Sequence, residues 1–214
     1  MKNYEYIIAS LPVLTTDWKY GSSESFDSLL GEIRDQLSKG DNAVLDFLLN
    51  GFDENSLDEE FYFKALRHPN RFIREYFRFD LNLRNAKVRF LNKSLGRPAD
   101  EDVMTGLGKE DDTRTDIDGY LFTGGEFEEA LRTDAIFSGN DLLQRERALD
   151  DLKWGKINEL TLFDDFDMEA ILAFVAKLKI VDRWLSLDEQ QGKEMFKRLV
   201  DEVRGTFKGV NYQE

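Results

Sequence analysis

The stretch YFRFDLNLRNAKVRF, Tyr76 to Phe90, fits two incompatible templates. From Phe77 to Arg84 it alternates apolar and polar residues with period two, as a half-buried strand does. The wider window favours a helix. Pro69 and Pro98 bracket the run, and proline ends helices and restricts the residue before it. Between them Arg67, Arg71, Arg74, Arg78, Asn82, Asn85, Arg89 and Lys93 step by 4, 3, 4, 4, 3, 4, 4. That is one polar stripe along a helix of about seven turns. Phe72, Ile73, Tyr76, Phe77, Phe79, Leu83, Ala86, Phe90 and Leu91 fill the flanking faces. The longer pattern outweighs the short alternation, and this stretch predicts an all-α chain. Arg67 precedes Pro69 and belongs before the helix. Asp80 or Asn82 could cap a break within it.

The remaining segments carry helical signals. Phe26, Leu29, Leu30, Ile33 and Leu37 keep the spacing of one helix face. DNAVLDFLLNG reads as a helix capped by Asp41 and stopped at Gly51. SLDEEFYFKAL places Ser56 and Glu59 in capping-box register. After Pro98, residues 99–125 contain eight acids and several glycines, and read as a loop or poorly ordered connector. Helical signals resume at Glu126 and again from Asp141 to Lys156. Residues 167–184, DMEAILAFVAKLKIVDRW, are apolar almost all round, which predicts a buried helix. Asp164, Asp165 and Asp167 read as acids around its N-terminus, where they favour the helix dipole. A last helix opens at Ser186 and Glu189 with the stripe Met195, Phe196, Leu199, Val200 and Val203. The expected architecture is a set of helical bundles in two lobes, 1–98 and 126–214, joined by the acidic connector 99–125.

Composition bounds the function. The chain has 214 residues, 41% of them apolar and 13% aromatic, ample for a core. No run approaches 18 consecutive apolar residues, so no membrane insertion is expected. The N-terminus MKNYEYIIASLPVL reads as mature sequence rather than a signal peptide. There are no cysteines, which excludes disulfides, thiolate metal sites and cysteine catalysis and fits a cytoplasmic location. Formal net charge is −14, a surface that repels nucleic acid and anionic lipid. The charge is uneven. Arg67 to Arg97 holds nine Lys/Arg against Glu75 and Asp80, which leaves that segment at +7 and the rest of the chain at −21. An acidic body with one basic element suggests internal complementarity or docking onto an acidic partner.

Two sets of residues stand out. The stripe Arg71, Arg74, Arg78, Asn82, Asn85, Arg89 and Lys93 is the candidate interface. Asp80, Arg84 and Lys87, spaced i, i+4, i+7 off that stripe, form a candidate charged cluster, with acid before base in the favourable order. Arginines with interleaved aromatics are ingredients of nucleic-acid binding, but here the aromatics lie on other faces, as core residues would, and no nucleic-acid partner is expected. EDDTRTDIDG could hold a divalent cation through Asp116 and Asp118, yet it fails the EF-hand pattern, with Arg114 at the first ligand position and Gly125 at the twelfth. GLGKED lacks the third glycine of a dinucleotide fingerprint. His68, the only histidine, cannot build a histidine metal site and is expected in the turn before the helix. No catalytic, cofactor-binding or metal residue emerges, and none is expected.

At REYFRFDLNLRNAKVRFLNKSLG, Arg74 to Gly96, the chain resembles the C subunit of V-type and A-type rotary ATPases, called d in eukaryotes. An aromatic pair leads into an Asp/Asn-containing stretch, then a basic amphipathic run closing at glycine; Tyr76, Phe77, Asp80, Asn85 and Gly96 fit that cadence. With the N-terminal YEYIIASLP it resembles a shortened bacterial relative associated with V-type ATPase operons. The resemblance implies a non-catalytic structural subunit between the central stalk and the membrane rotor ring, coupling the two for proton or sodium transport, and cytoplasmic and peripheral to the membrane through the complex. Its partners would be the other ATPase subunits. The chain is much shorter than the usual three-bundle C subunit. The alternatives are an unrelated helical adaptor, or a metal-dependent hydrolase using the acidic loop.

Overall fold

A computed structural model describes residues 4–15, 25–104, 127 and 129–186. Among them the elements are helical: α1 (Tyr4–Ser10), α2 (Phe26–Gln36), α3 (Lys39–Asn50), α4 (Glu59–Ala65), α5 (Arg71–Ser94), α6 (Ala130–Phe137), α7 (Leu142–Leu160) and α8 (Met168–Leu185), with a 3-10 turn at Glu54–Ser56. The all-α expectation holds. The opening stretch lies inside α5, a continuous helix of 24 residues that is about 36 Å long at 1.5 Å per residue. It breaks at neither Asp80 nor Asn82. Asn70 caps it by accepting from the Ile73 amide at 3.1 Å, and Gly96 closes it in the left-handed region at φ 69°, where glycine carries no Cβ penalty.

Two caps differ from the sequence reading. α3 starts at Lys39 on Ser38, not on Asp41. Ser38 Oγ accepts the Asp41 amide at 3.2 Å and donates to the Asp41 carboxylate at 2.7 Å. The reciprocal pair satisfies two groups at once and moves the start of the helix upstream. α4 is capped by Asp58, whose carboxylate accepts from the Phe61 amide at 2.7 Å. Ser56 is held instead in the 3-10 turn that Asp53 caps. The helical signal expected from Glu126 becomes helix at Ala130.

α5 and α8 are the two axes of packing. α5 lies against α4, α6, α7 and α8, while α8 lies against α1, α2, α3, α5 and α7. As its composition predicts, α8 is buried nearly all round, with Ile171, Leu172, Val175, Ala176, Leu178 and Val181 at or near zero exposure. The segments expected as two lobes share one apolar core. Ile33, Leu45, Leu48, Phe72, Phe77 and Leu81 belong to the same cluster as Trp154, Ile157, Ile171 and Val175. A second cluster joins Phe79 and Leu83 of α5 to Phe137, Leu149 and Leu152. Residues 105–125, most of the acidic connector, and residues 187–214, which hold nearly all of the last expected helix, lie outside the described residues.

Candidate functional site

The candidate interface stripe runs the length of α5, and the bundle uses most of it. Arg71 pairs with Asp164 in the α7–α8 turn. Arg74 donates to the carbonyls of His68 and Pro69 at 2.7 and 2.9 Å. Arg78 pairs with Glu75 at 2.7 Å. Asn82 and Asn85 are buried, and Asn85 grips the Met104 backbone twice, accepting its amide and donating to its carbonyl, each at 3.1 Å. Asn92, two turns further on, donates to the carbonyls of Ala99 and Glu101 at 3.3 and 2.6 Å. Arg89 Nε donates to Asp100 at 2.8 Å. Of the five cations in the stripe, only Lys93 has no polar partner among the described residues. Asn85, with Asn92, thus fastens the chain beyond Pro98 back onto the helix. Net basicity and exposure are greatest toward the C-terminal end, where Arg89, Phe90 and Lys93 line a groove of about 390 Å³ against Ala130, Thr133 and Asp134.

The charged cluster forms around Asp80, without Lys87. Asp80, 6 % exposed, accepts from Arg84 Nε at 2.8 Å and from the Tyr62 hydroxyl at 2.6 Å through the same oxygen. Burial, then the Asp80 charge, push the Tyr62 phenol far above its ordinary 10.0, so it is a committed donor. Burial pulls the Arg84 guanidinium down, but Asp80 and Tyr62 outweigh it and the net shift is upward. Lys87 is exposed and forms no ion pair among the described residues.

A second buried carboxylate faces the same cleft. Asp150 of α7, 2 % exposed, accepts from Trp184 Nε1 at 2.7 Å and from Arg183, with Lys153 at 3.9 Å. Asp80, Arg84, Asp150, Lys153, Lys179 and Arg183 line one cavity of about 300 Å³, together with Tyr76. Tyr76 is 2 % exposed. Burial, then Asp80 and Asp150, hold its phenol well above 10.0. The cleft therefore lies where α5, α7 and α8 meet, with each buried carboxylate matched to an arginine and two phenols held protonated. The Asp150–Arg183 pair joins α7 to α8, whereas Asp80 and Arg84 pair within α5.

The sequence reading missed the Asp150 site. Its signal is present: Asp150 lies at i−4 and i−7 from Trp154 and Ile157, both buried, so it is an acid on an apolar stripe. Its partners come from α8, 33 and 34 residues away, and no local pattern connects them. His68 sits in the turn before α5, as expected. Its Nδ1 accepts from the Asn70 amide at 3.1 Å and its ring lies 4.9 Å from that of Phe47. Burial, then Arg74, lower its pKa from 6.5. Asp116 and Asp118 lie outside the described residues. Among the described residues no group of three or more His, Cys, Asp or Glu could hold a metal ion, and no helix is long and apolar enough to cross a membrane.

These features define an all-α bundle built on one long, internally paired helix. The chain belongs to the DUF2764 family, described as a protein of unknown function, whose model matches residues 52–206. The match begins after α3 and takes in α4 to α8, and therefore both buried carboxylates. No curated protein and no solved structure matches the chain.

Proposed function

We propose that the chain is a non-catalytic structural subunit of a V-type rotary ATPase, coupling the central stalk to the membrane rotor ring for proton or sodium transport. The observation that carries the reading is a coincidence on α5. The residues that resemble the C subunit are the ones that tie the bundle together: Tyr76 and Phe77 are in the main core, Asp80 joins α4 to α5, Asn85 clamps Met104, and Gly96 ends the helix at positive φ. A subunit that transmits torque must resist deformation. A helix of 24 residues braced by four others, with Arg71, Arg78, Arg84 and Arg89 paired within the bundle, has the stiffness that role requires.

On this reading the partners are the other ATPase subunits, and the chain is cytoplasmic and peripheral to the membrane through the complex. It neither inserts in the bilayer nor binds nucleic acid. The acidic body, at −14 overall, supports both exclusions by long-range repulsion.

The test is affinity purification of the tagged full chain from detergent-solubilised membranes of its own cells, with mass spectrometry of the eluate. Rotary-ATPase subunits should be the dominant co-purifying set. Recovery of a reproducible partner set with no ATPase subunit would replace this reading with that of an unrelated helical adaptor.

A further inference from the structure

The α7–α8 turn carries an apolar cluster that the core does not use. Leu162, Phe163 and Phe166 are 67, 90 and 61 % exposed, although burying such side chains is favourable. The turn is held from both sides. Asp164 pairs with Arg71 of α5, and Asp167 caps α8 by accepting from the Ala170 amide at 3.1 Å. The outward aromatics are thus presented by a fixed turn. The segment after α1 runs beside it: Leu11, Pro12 and Leu14 share a cavity of about 280 Å³ with Thr161, Asp164 and Phe174. Between them Val13 is 84 % exposed. Apolar side chains of two separate segments therefore face solvent at one end of the bundle, the mark of an interaction surface.

Charge selects among occupants. The phenylalanines alternate with acids in FDDFD, Phe163 to Asp167. Asp164 and Asp167 are engaged within the turn, whereas Asp165 is exposed and has no partner among the described residues. An exposed acid between the two phenylalanines, on a chain of −14, opposes anionic lipid and favours a surface that places Lys or Arg beside an apolar recess. We propose that this turn docks the chain onto a neighbouring ATPase subunit, through an apolar recess bordered by basic side chains. The inference rests on the function proposed above.

The experiment compares co-purification of ATPase subunits by the full-length wild-type chain, the double variant Phe163→Ser/Phe166→Ser, Asp165→Lys, and the control Leu131→Ser, which changes a residue 85 % exposed on α6. The double variant should recover at least tenfold less ATPase with an unchanged melting temperature, while the control recovers as wild type does. Asp165→Lys removes no apolar surface and should reduce recovery several-fold. Wild-type recovery by the double variant overturns the inference and leaves the proposed function standing. Unchanged recovery by Asp165→Lys overturns the basic rim of the partner. Failure of the wild-type chain itself to recover ATPase subunits overturns both. Flotation of the wild-type chain with phosphatidylserine vesicles, lost in the double variant, would assign the turn to a membrane surface instead.

Discussion

The Tyr62 hydroxyl donates to Asp80 at 2.6 Å across 18 residues of sequence, joining α4 to α5 beside the Arg84 guanidinium. The pair is buried, so neither partner can exchange the bond for water. Tyr62→Phe removes the donor and leaves the ring in place. It should cost about 2 kcal/mol, the usual worth of a hydrogen bond to a charged group. Asp80→Ala should cost more, about 3 kcal/mol, because it also strands Arg84 and the phenol. Urea unfolding of the two variants checks the order; equal stability of Asp80→Ala and wild type would remove this joint from the fold.

Gly51 is a steric requirement rather than only a helix stop. A Cβ there would lie 2.1 Å from Phe77 Cζ and 2.8 Å from Phe61 Cζ, well inside contact distance. The two rings pack edge to face with centroids 4.9 Å apart and cannot both retreat. Gly51→Ala should destabilise by about 1–3 kcal/mol through overpacking, against the mild gain that Gly→Ala brings where the backbone conformation is ordinary. Its φ of −73° is ordinary, so a loss measured by thermal melting isolates the clash, and a gain would show that the rings yield.

Asn85 and Lys93 share one stripe but should behave oppositely. Asn85→Ala leaves the half-buried Met104 amide and carbonyl without their partner and should lower stability by about 1–3 kcal/mol. Lys93→Glu touches nothing paired and should change stability by less than about 0.5 kcal/mol. Reversing Arg89 to Glu breaks its pair with Asp100, 76 % exposed at its side chain, and such exposed pairs are worth about 1 kcal/mol or less. If the C-terminal end of the stripe is a contact surface, Arg89→Glu and Lys93→Glu weaken partner recovery while leaving the melting temperature nearly unchanged. Equal losses of both would confine the stripe to folding.

His68 supplies a pH signature. Its pKa is lowered from 6.5 in the folded chain, by burial first and Arg74 second. Below 6.5 the unfolded chain takes up a proton that the folded chain still resists, so stability falls as pH drops from 6.5 toward the folded midpoint. Above 6.5 the two states bind equally and the contribution is flat. His68→Gln should flatten the stability profile in that window. An NMR titration of the single imidazole should give a midpoint under 6.5; a value at or above it would contradict the packing on Phe47.

The sequence disclosed α5 because its 4, 3 stepping persists far beyond the eight residues that imitate a strand. It disclosed the burial of α8 through composition alone. It misplaced the start of α3 because Ser38 and Asp41, three residues apart, are both good cap residues, and only their reciprocal hydrogen bonds decide between them. A polar stripe ordinarily marks a solvated face. Asn85 departs from that rule because Met104 folds back over it, a contact 19 residues away with no periodic trace. The Asp150–Trp184 bond likewise joins two helices whose register no local pattern reports. The candidate cluster was legible as Asp80 and Arg84 because i, i+4 is a helical contact. Lys87 was included by the same spacing and excluded by the direction its face takes.

Coupling is the most direct test of the proposed role. In inverted membrane vesicles from cells lacking this chain, ATP hydrolysis by the catalytic head should persist while ATP-driven ion uptake is lost, and re-expression of the full chain should restore uptake. Ion uptake equal to wild type in the deletion strain, at equal ATPase content, would contradict a structural role in joining stalk to rotor.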